Sequence, residues 1–165
     1  MKKSIALLLM MTAFAAFCQH NGKITRVIDG DTYVARIKEI EYTCRLENVD
    51  TPEKDQFMGL TIKDSVNLLL LNKNCVFEIH GFDKYRRALV NIKLDDQKLD
   101  SILITRGWAW FYPAIRSHQY ILPLPSLEVN ARFSMLGIWK CYFNIPPWIW
   151  RQFSKPQKLS FNKCF

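Results

Sequence analysis

Beyond residue 22 apolar and polar positions alternate in short runs. Ile24-Thr-Arg-Val-Ile28, Tyr33-Val-Ala-Arg-Ile37 and Ile40-Glu-Tyr-Thr-Cys-Arg-Leu46 interleave β-branched and aromatic residues with polar ones, the two-residue period of half-buried strands. Asp29-Gly-Asp-Thr32 and Lys38-Glu39 separate them as turns. Two further strands are predicted at 75–80 and 88–94. Between the third strand and these two the period lengthens: over 56–71, Ile62, Val66 and Leu69 recur at helical spacing. A second helix is predicted over 97–106, with Leu99, Ile102 and Leu103 on one face and Gly107 as its stop. A third, over 125–136, carries Glu128 and Arg132 one turn apart and ends at Gly137. Five strands with inserted and appended helices predict an α+β, mainly β-barrel fold: a small closed five-stranded barrel of the oligonucleotide-binding (OB) type with three helices.

The N-terminus breaks this pattern. Lys2 and Lys3 precede a 13-residue stretch, Ile5 to Phe17, whose only polar member is Thr12. That is the charged start and apolar core of a secretory signal peptide, and it is short for a transmembrane anchor. Cleavage after Ala15 and cleavage after Cys18 both satisfy the small-residue rule, whereas Phe17 is bulky for the position before a lipid-modified cysteine. The expected organisation is a signal peptide at 1–18, a folded domain at 22–140 and a C-terminal extension at 141–165. A secreted or periplasmic product without a stable membrane anchor follows. The extension opens with the aromatic run Ile145-Pro-Pro-Trp-Ile-Trp150 and turns basic. Packing on the barrel, a loose tail and contact with a membrane surface are all open to it.

With 165 residues, 49% of them hydrophobic and 23% charged, the chain has the size and composition of one domain with small appendages, which excludes disorder and collagen-like repeats. The formal charge of +8, still +6 without the leader's two lysines, favours a polyanionic partner. Without the leader, Cys44, Cys75, Cys141 and Cys164 remain, which allows three complete pairings in an oxidising compartment. Cys44 and Cys75 also suit small buried positions on strands, and a Cys141–Cys164 bridge clipping the extension is the preferred pairing.

Candidate chemistry gathers at strand ends. Asp29 and Asp31 lie in the turn between two strands; Asp50 and Glu53 follow a third. Carboxylate and carbonyl oxygens, completed by water, are what a hard divalent cation takes. Taken singly, Asp-Gly-Asp is an ordinary hairpin turn and Asp50-Thr-Pro an ordinary helix start. The basic partners change this reading. Arg45 stands five residues before Asp50, and Asp83-Lys-Tyr-Arg-Arg87 closes another hairpin. A cation and two guanidinium forks converging on one cleft suit a phosphodiester, and Glu53 would orient or deprotonate the attacking water.

Five motifs in order, Ile28-Asp-Gly-Asp-Thr32, Arg45-Leu-Glu-Asn-Val-Asp-Thr-Pro-Glu53, Asp83-Lys-Tyr-Arg-Arg87, Arg106-Gly-Trp-Ala109 and Leu136-Gly-Ile-Trp139, resemble the staphylococcal (micrococcal) nuclease, or thermonuclease, family over residues 22–139. The resemblance implies the same five-stranded barrel with three helices, and calcium-dependent cleavage of DNA and RNA that leaves 3′-phosphate ends. Matched by position, Asp31 and Asp50 would bind calcium through carboxylates and Thr51 through its carbonyl, with Asp29 behind them. Glu53 would act on water, Arg45 and Arg87 on phosphate oxygens, and Lys84 and Tyr85 on the nucleotide. The base-stacking role falls to Trp110 or Tyr112.

This sequence departs from the family at Arg86, where glycine is common; a positive φ there would strain the backbone, and any other φ would add a phosphate contact. Nothing in the resemblance covers residues 140–165. His80 and His118 lack zinc-site spacing and are expected at the surface or in turns. A monomer is expected. The competing class is a non-catalytic OB-fold module that only binds nucleic acid. Intact Asp31, Arg45, Asp50, Glu53 and Arg87 favour the enzyme, because a pure binder has no use for carboxylates beside a polyanion.

Overall fold

The structure, a computed structural model, describes residues 19–113 and 123–161. The expected signal peptide, His118 and Cys164 lie outside the described residues, and the expected Cys141–Cys164 bridge with them. Among the described residues eight strands form: β1 Gln19–Val27, β2 Thr32–Ile37, β3 Ile40–Leu46, β4 Val49–Asp50, β5 Asn74–Phe82, β6 Ala88–Leu94, β7 Gln97–Lys98 and β8 Trp110–Phe111. Among the same residues five α-helices accompany them: α1 Gly59–Leu70, α2 Leu99–Thr105, α3 Leu124–Phe133, α4 Pro147–Trp150 and α5 Lys155–Phe161.

Strand order β3-β2-β1-β5-β6, closed by a parallel β3–β6 pairing, makes the expected five-stranded barrel. β1 serves two partners: Gln19 to Lys23 lie along β5, and Gly22 to Val27 along β2, with a register shift between Ile24 and Arg26. Such a bulge bends a strand from one wall of a barrel to the next. Lys38 (φ 48°) and Glu39 (φ 64°) both take left-handed conformations, the geometry of the two-residue turn that matches strand twist. Alternation then points Tyr33, Ala35, Cys44, Leu46, Phe77, Val90 and Ile92 into the core, each no more than 2% exposed. Their burial is the main stabilising term, roughly 1.5–3 kcal/mol for each large apolar side chain.

The three expected helices form with altered ends. α1 starts at Gly59 because residues 53–57 turn first: Gln56 N–H donates to the Glu53 carbonyl at 2.9 Å, and Met58 takes φ 61°. It closes the barrel with Ile62, Val66 and Leu70, all buried. α2 begins two residues late because Gln97 and Lys98 pair with β6 as β7. α3 ends at Phe133, ahead of Met135 at φ 49°. The two helix-stop glycines face each other: Gly107 (φ 65°) and Gly137 (φ 54°) approach so closely that a Cβ on Gly107 would lie 2.2 Å from the Leu136 carbonyl oxygen. Their backbones join through the Ile138 N–H to Gly107 carbonyl bond at 2.8 Å, which pins the end of α3 to that of α2.

Cys44 and Cys75 are buried free thiols, and burial pushes their pKa values up to about 12 and about 11, so they are inert core residues. Arg86 has φ 64°, so the 83–87 hairpin does require a left-handed residue, and arginine bears the strain there. Among the described residues no helix is long and apolar enough to cross a membrane. The extension packs on the barrel: Trp150 is 1% exposed, its Nε1 donates to Asp55 Oδ1 at 2.9 Å, and Lys158 pairs with Asp55 Oδ2 at 2.9 Å.

Candidate active site

Four loops meet at one end of the barrel. The β1–β2 turn carries Asp29 and Asp31, Arg45 is the next-to-last residue of β3, β4 ends at Asp50, and the β5–β6 hairpin carries Lys84, Tyr85 and Arg87. Together they line a cleft of about 820 Å³ that also includes Thr51, Glu53 and Tyr112. Gly30 sets how closely the first two loops approach, since a Cβ there would stand 2.7 Å from Thr51 Oγ1. Across that contact Asp31 Oδ2 accepts the Thr51 N–H at 2.8 Å and the Thr51 hydroxyl at 3.0 Å. Asp50 is fixed by its backbone, through antiparallel pairing with Trp110.

Arg45 links the carboxylates. Its Nε lies 3.3 Å from Asp31 Oδ1, its Nη2 lies 3.1 Å from Asp50 Oδ1, and Nη1 donates to the Leu46 and Val49 carbonyls. Although burial opposes its charge, Asp31 and Asp50 hold its pKa above the usual arginine value. Asp31 and Asp50 are 5% and 2% exposed. Burial first, and then the charge of Asp31, push Asp29 up to about 6 and raise Asp50 as well. Carboxylates crowded this way have more negative charge than their neighbours offset, and a cation would relieve it. Two carboxylates beside the Thr51 backbone form an oxygen-only donor set that fits a hard cation such as calcium. Among the described residues no three His, Cys, Asp or Glu side chains gather as a metal site, so water or substrate would complete the coordination.

Arg87 is held by Asp83. Its Nε lies 2.7 Å from Asp83 Oδ2, and its N–H donates to Oδ1 at 2.9 Å. The Tyr85 ring lies beside two cations, 5.1 Å from Lys84 Nζ and 5.4 Å from the Arg87 guanidinium carbon. Every expected site residue except one lines this cleft. The exception is Trp110: it is 3% exposed and packs edge-on against Trp139 at 5.4 Å, so its ring belongs to the core and cannot stack on a base. Tyr112, 45% exposed, is the ring on the cleft, and it faces Trp148 at 5.1 Å. His80 is not free at the surface; it pairs with buried Glu47.

Sequence reasoning missed Arg151. It reaches the cleft from the extension and pairs with Asp50 at 2.6 Å and Glu53 at 2.7 Å. The aromatic run just before it signals a docked tail, but a single arginine in a basic segment carries no signature of its own. Gln56 ties this segment to the loop, donating to the Ile145 carbonyl while its Oε1 accepts the Glu53 N–H at 3.1 Å.

The comparisons agree with this geometry. Residues 43–141 match the family model described as staphylococcal nuclease homologue. An uncharacterized endonuclease of Escherichia coli is 31% identical over 153 residues, covering 92% of this chain and 98% of that protein. A second, from Haemophilus influenzae, is 30% identical over 153 residues, covering 91% of this chain and 84% of its own length. A micrococcal nuclease of Shigella flexneri is 24% identical over 163 residues, covering 91% of each chain. A barrel with its acidic and basic loops at one end, a family match over residues 43–141 and relatives aligned nearly end to end lead to one conclusion: this chain belongs to the staphylococcal nuclease homologue family.

Proposed function

We propose that this protein is an exported, calcium-dependent nuclease that hydrolyses phosphodiester bonds of DNA and RNA with low sequence specificity and leaves 3′-phosphate ends. The observation that carries the reading is the single cleft in which Asp31, Asp50, Thr51, Glu53, Arg45 and Arg87 meet. Bound there, calcium would act as a Lewis acid that neutralises a phosphate oxygen. Asp31 and Asp50 would hold it through carboxylates and Thr51 through its carbonyl, with Asp29 behind them.

Glu53 takes the part of base. Its carboxylate orients a water molecule and accepts its proton as the water oxygen bonds to phosphorus. The bond from phosphorus to the 5′ oxygen breaks, and that oxygen departs with the electron pair and takes a proton from solvent to become the 5′-hydroxyl, while Glu53 returns its proton to solvent. Arg45 and Arg87 donate to the phosphate oxygens, most strongly when the five-coordinate transition state carries its extra charge. Lys84 and Tyr85 hold the nucleotide and Tyr112 offers a stacking face. A module that only binds nucleic acid would keep the guanidiniums. It would have no reason to bury two carboxylates where a polyanion must dock, because that arrangement repels the ligand unless a cation joins it.

Purified mature protein is expected to cut plasmid DNA and RNA with calcium and to lose all cleavage in a calcium chelator. Full activity in chelator would rule out this assignment of Asp31 and Asp50. Export has its own check: mass spectrometry of protein from the periplasm or medium should find an N-terminus between residues 16 and 20 without lipid, and an intact Met1 in the cytosol would contradict it.

A further inference from the structure

Asp50 is contested from two sides. Arg45 holds its Oδ1 from within the barrel. Arg151, about a hundred residues further along the chain, grips it from the open side as a fork, with Nη2 at 2.6 Å from Oδ2 and Nη1 at 3.3 Å from Oδ1. The same Nη1 lies 2.7 Å from Glu53 Oε1. Arg151 immediately follows α4, and the extension is docked firmly enough to aim it, through Trp150 on Asp55, Lys158 on Asp55 and the Gln56 bond to the Ile145 carbonyl. Its side chain is nevertheless 47% exposed and lines the same cleft as Lys84 and Arg87.

A guanidinium fork fits a phosphate as well as it fits a carboxylate. On the reading above, a divalent cation needs the Asp50 oxygen that Arg151 grips, so the two compete for it. Charge indicates where the displaced fork goes. Among the groups in direct contact, the carboxylates of Asp31, Asp50 and Glu53 face the guanidiniums of Arg45 and Arg151, which leaves one net negative charge. A divalent cation turns that into one positive charge, and a single phosphodiester neutralises it. Without Arg151 the loaded cluster would already be neutral, so Arg151 supplies the surplus positive charge within it.

Resting on that reading of the cleft, we propose that Arg151 is a substrate-phosphate ligand supplied by the C-terminal extension, which competes with the divalent cation for Asp50 and passes to the phosphate when the cation takes that carboxylate. The extension is then part of the active site, and its Arg151 adds a third guanidinium to Arg45 and Arg87.

The test uses full-length mature protein with Arg151→Ala and Arg151→Lys, in two measurements. Calcium alone, titrated calorimetrically without nucleic acid, is expected to bind Arg151→Ala roughly tenfold more tightly than the parent, because its competitor is gone. Binding of a single-stranded oligonucleotide in calcium, with Glu53→Gln in every protein to stop turnover, is expected to weaken roughly tenfold in Arg151→Ala. Its logarithmic salt dependence should become shallower by about 0.7, the single-strand value for one lost phosphate contact, and Arg151→Lys should restore the slope. Lysine rescue separates a phosphate contact from mere loosening of the tail. An unchanged calcium affinity or an unchanged salt slope in Arg151→Ala overturns the proposal. If neither parent nor variant binds calcium, the metal assignment itself fails, which is a distinguishable result.

Discussion

Glu53→Gln is expected to lower turnover by roughly 10²–10⁴-fold while nucleic-acid binding survives. The substitution preserves shape and nearly preserves volume. Glutamine's Oε1 still accepts from Arg151, and the backbone bond from the Glu53 N–H to Gln56 is untouched, so the loop keeps its course. What disappears is the carboxylate proposed to take a proton from water. Cleavage under saturating substrate, measured beside oligonucleotide affinity, checks this, and parent-like turnover would remove Glu53 from the chemistry.

Arg87→Ala is expected to depress turnover by roughly 10²–10³-fold and affinity far less, since its fork would meet the phosphate most strongly as charge grows in the transition state. It is a cleaner test than Arg45→Ala. Arg45 is the buried partner of both Asp31 and Asp50, and removing it leaves two buried carboxylates without that counter-charge, a loss of about 3–5 kcal/mol that confuses catalysis with folding. Arg87 is 30% exposed and bound to Asp83, whose carboxylate stays partly open to solvent, so its loss is tolerated. Equal losses of kcat and of ground-state affinity would reassign Arg87 to simple binding.

How far the sequence revealed this molecule depended on whether a residue's neighbours along the chain share its environment. β3 and β6 have the limits their alternation predicts because one face of each meets the core. β1 is longer than predicted: Gln19 to Lys23 carry no apolar signal and are held in the sheet by backbone pairing with β5. β4, β7 and β8 are two residues each, too short for any period to show. The acidic and basic loops were legible because their motifs are contiguous and ordered. The 108–112 run misled at Trp110, where aromatic composition allows stacking or packing equally. The deciding fact is tertiary: β8 pairs with β4, turns the Trp110 ring inward and leaves its backbone to hold Asp50 in place. Arg151 depends on a contact about a hundred residues away, which no local pattern encodes.

The parallel β3–β6 seam has a kinetic consequence. It joins Cys44 to Ala88, 44 positions apart, and is thus a long-range pairing whose chain-entropy cost precedes its reward. Arg45 sits within the seam, opposite Leu89, and Arg87 is the residue just before it. While the seam is open, the two guanidiniums stand on separate segments with nothing fixing the distance between them. Recovery of cleavage during refolding should therefore lag behind strand formation and coincide with seam closure. A chain still on its way to the folded state carries the residues of a nuclease without the spacing that makes them one.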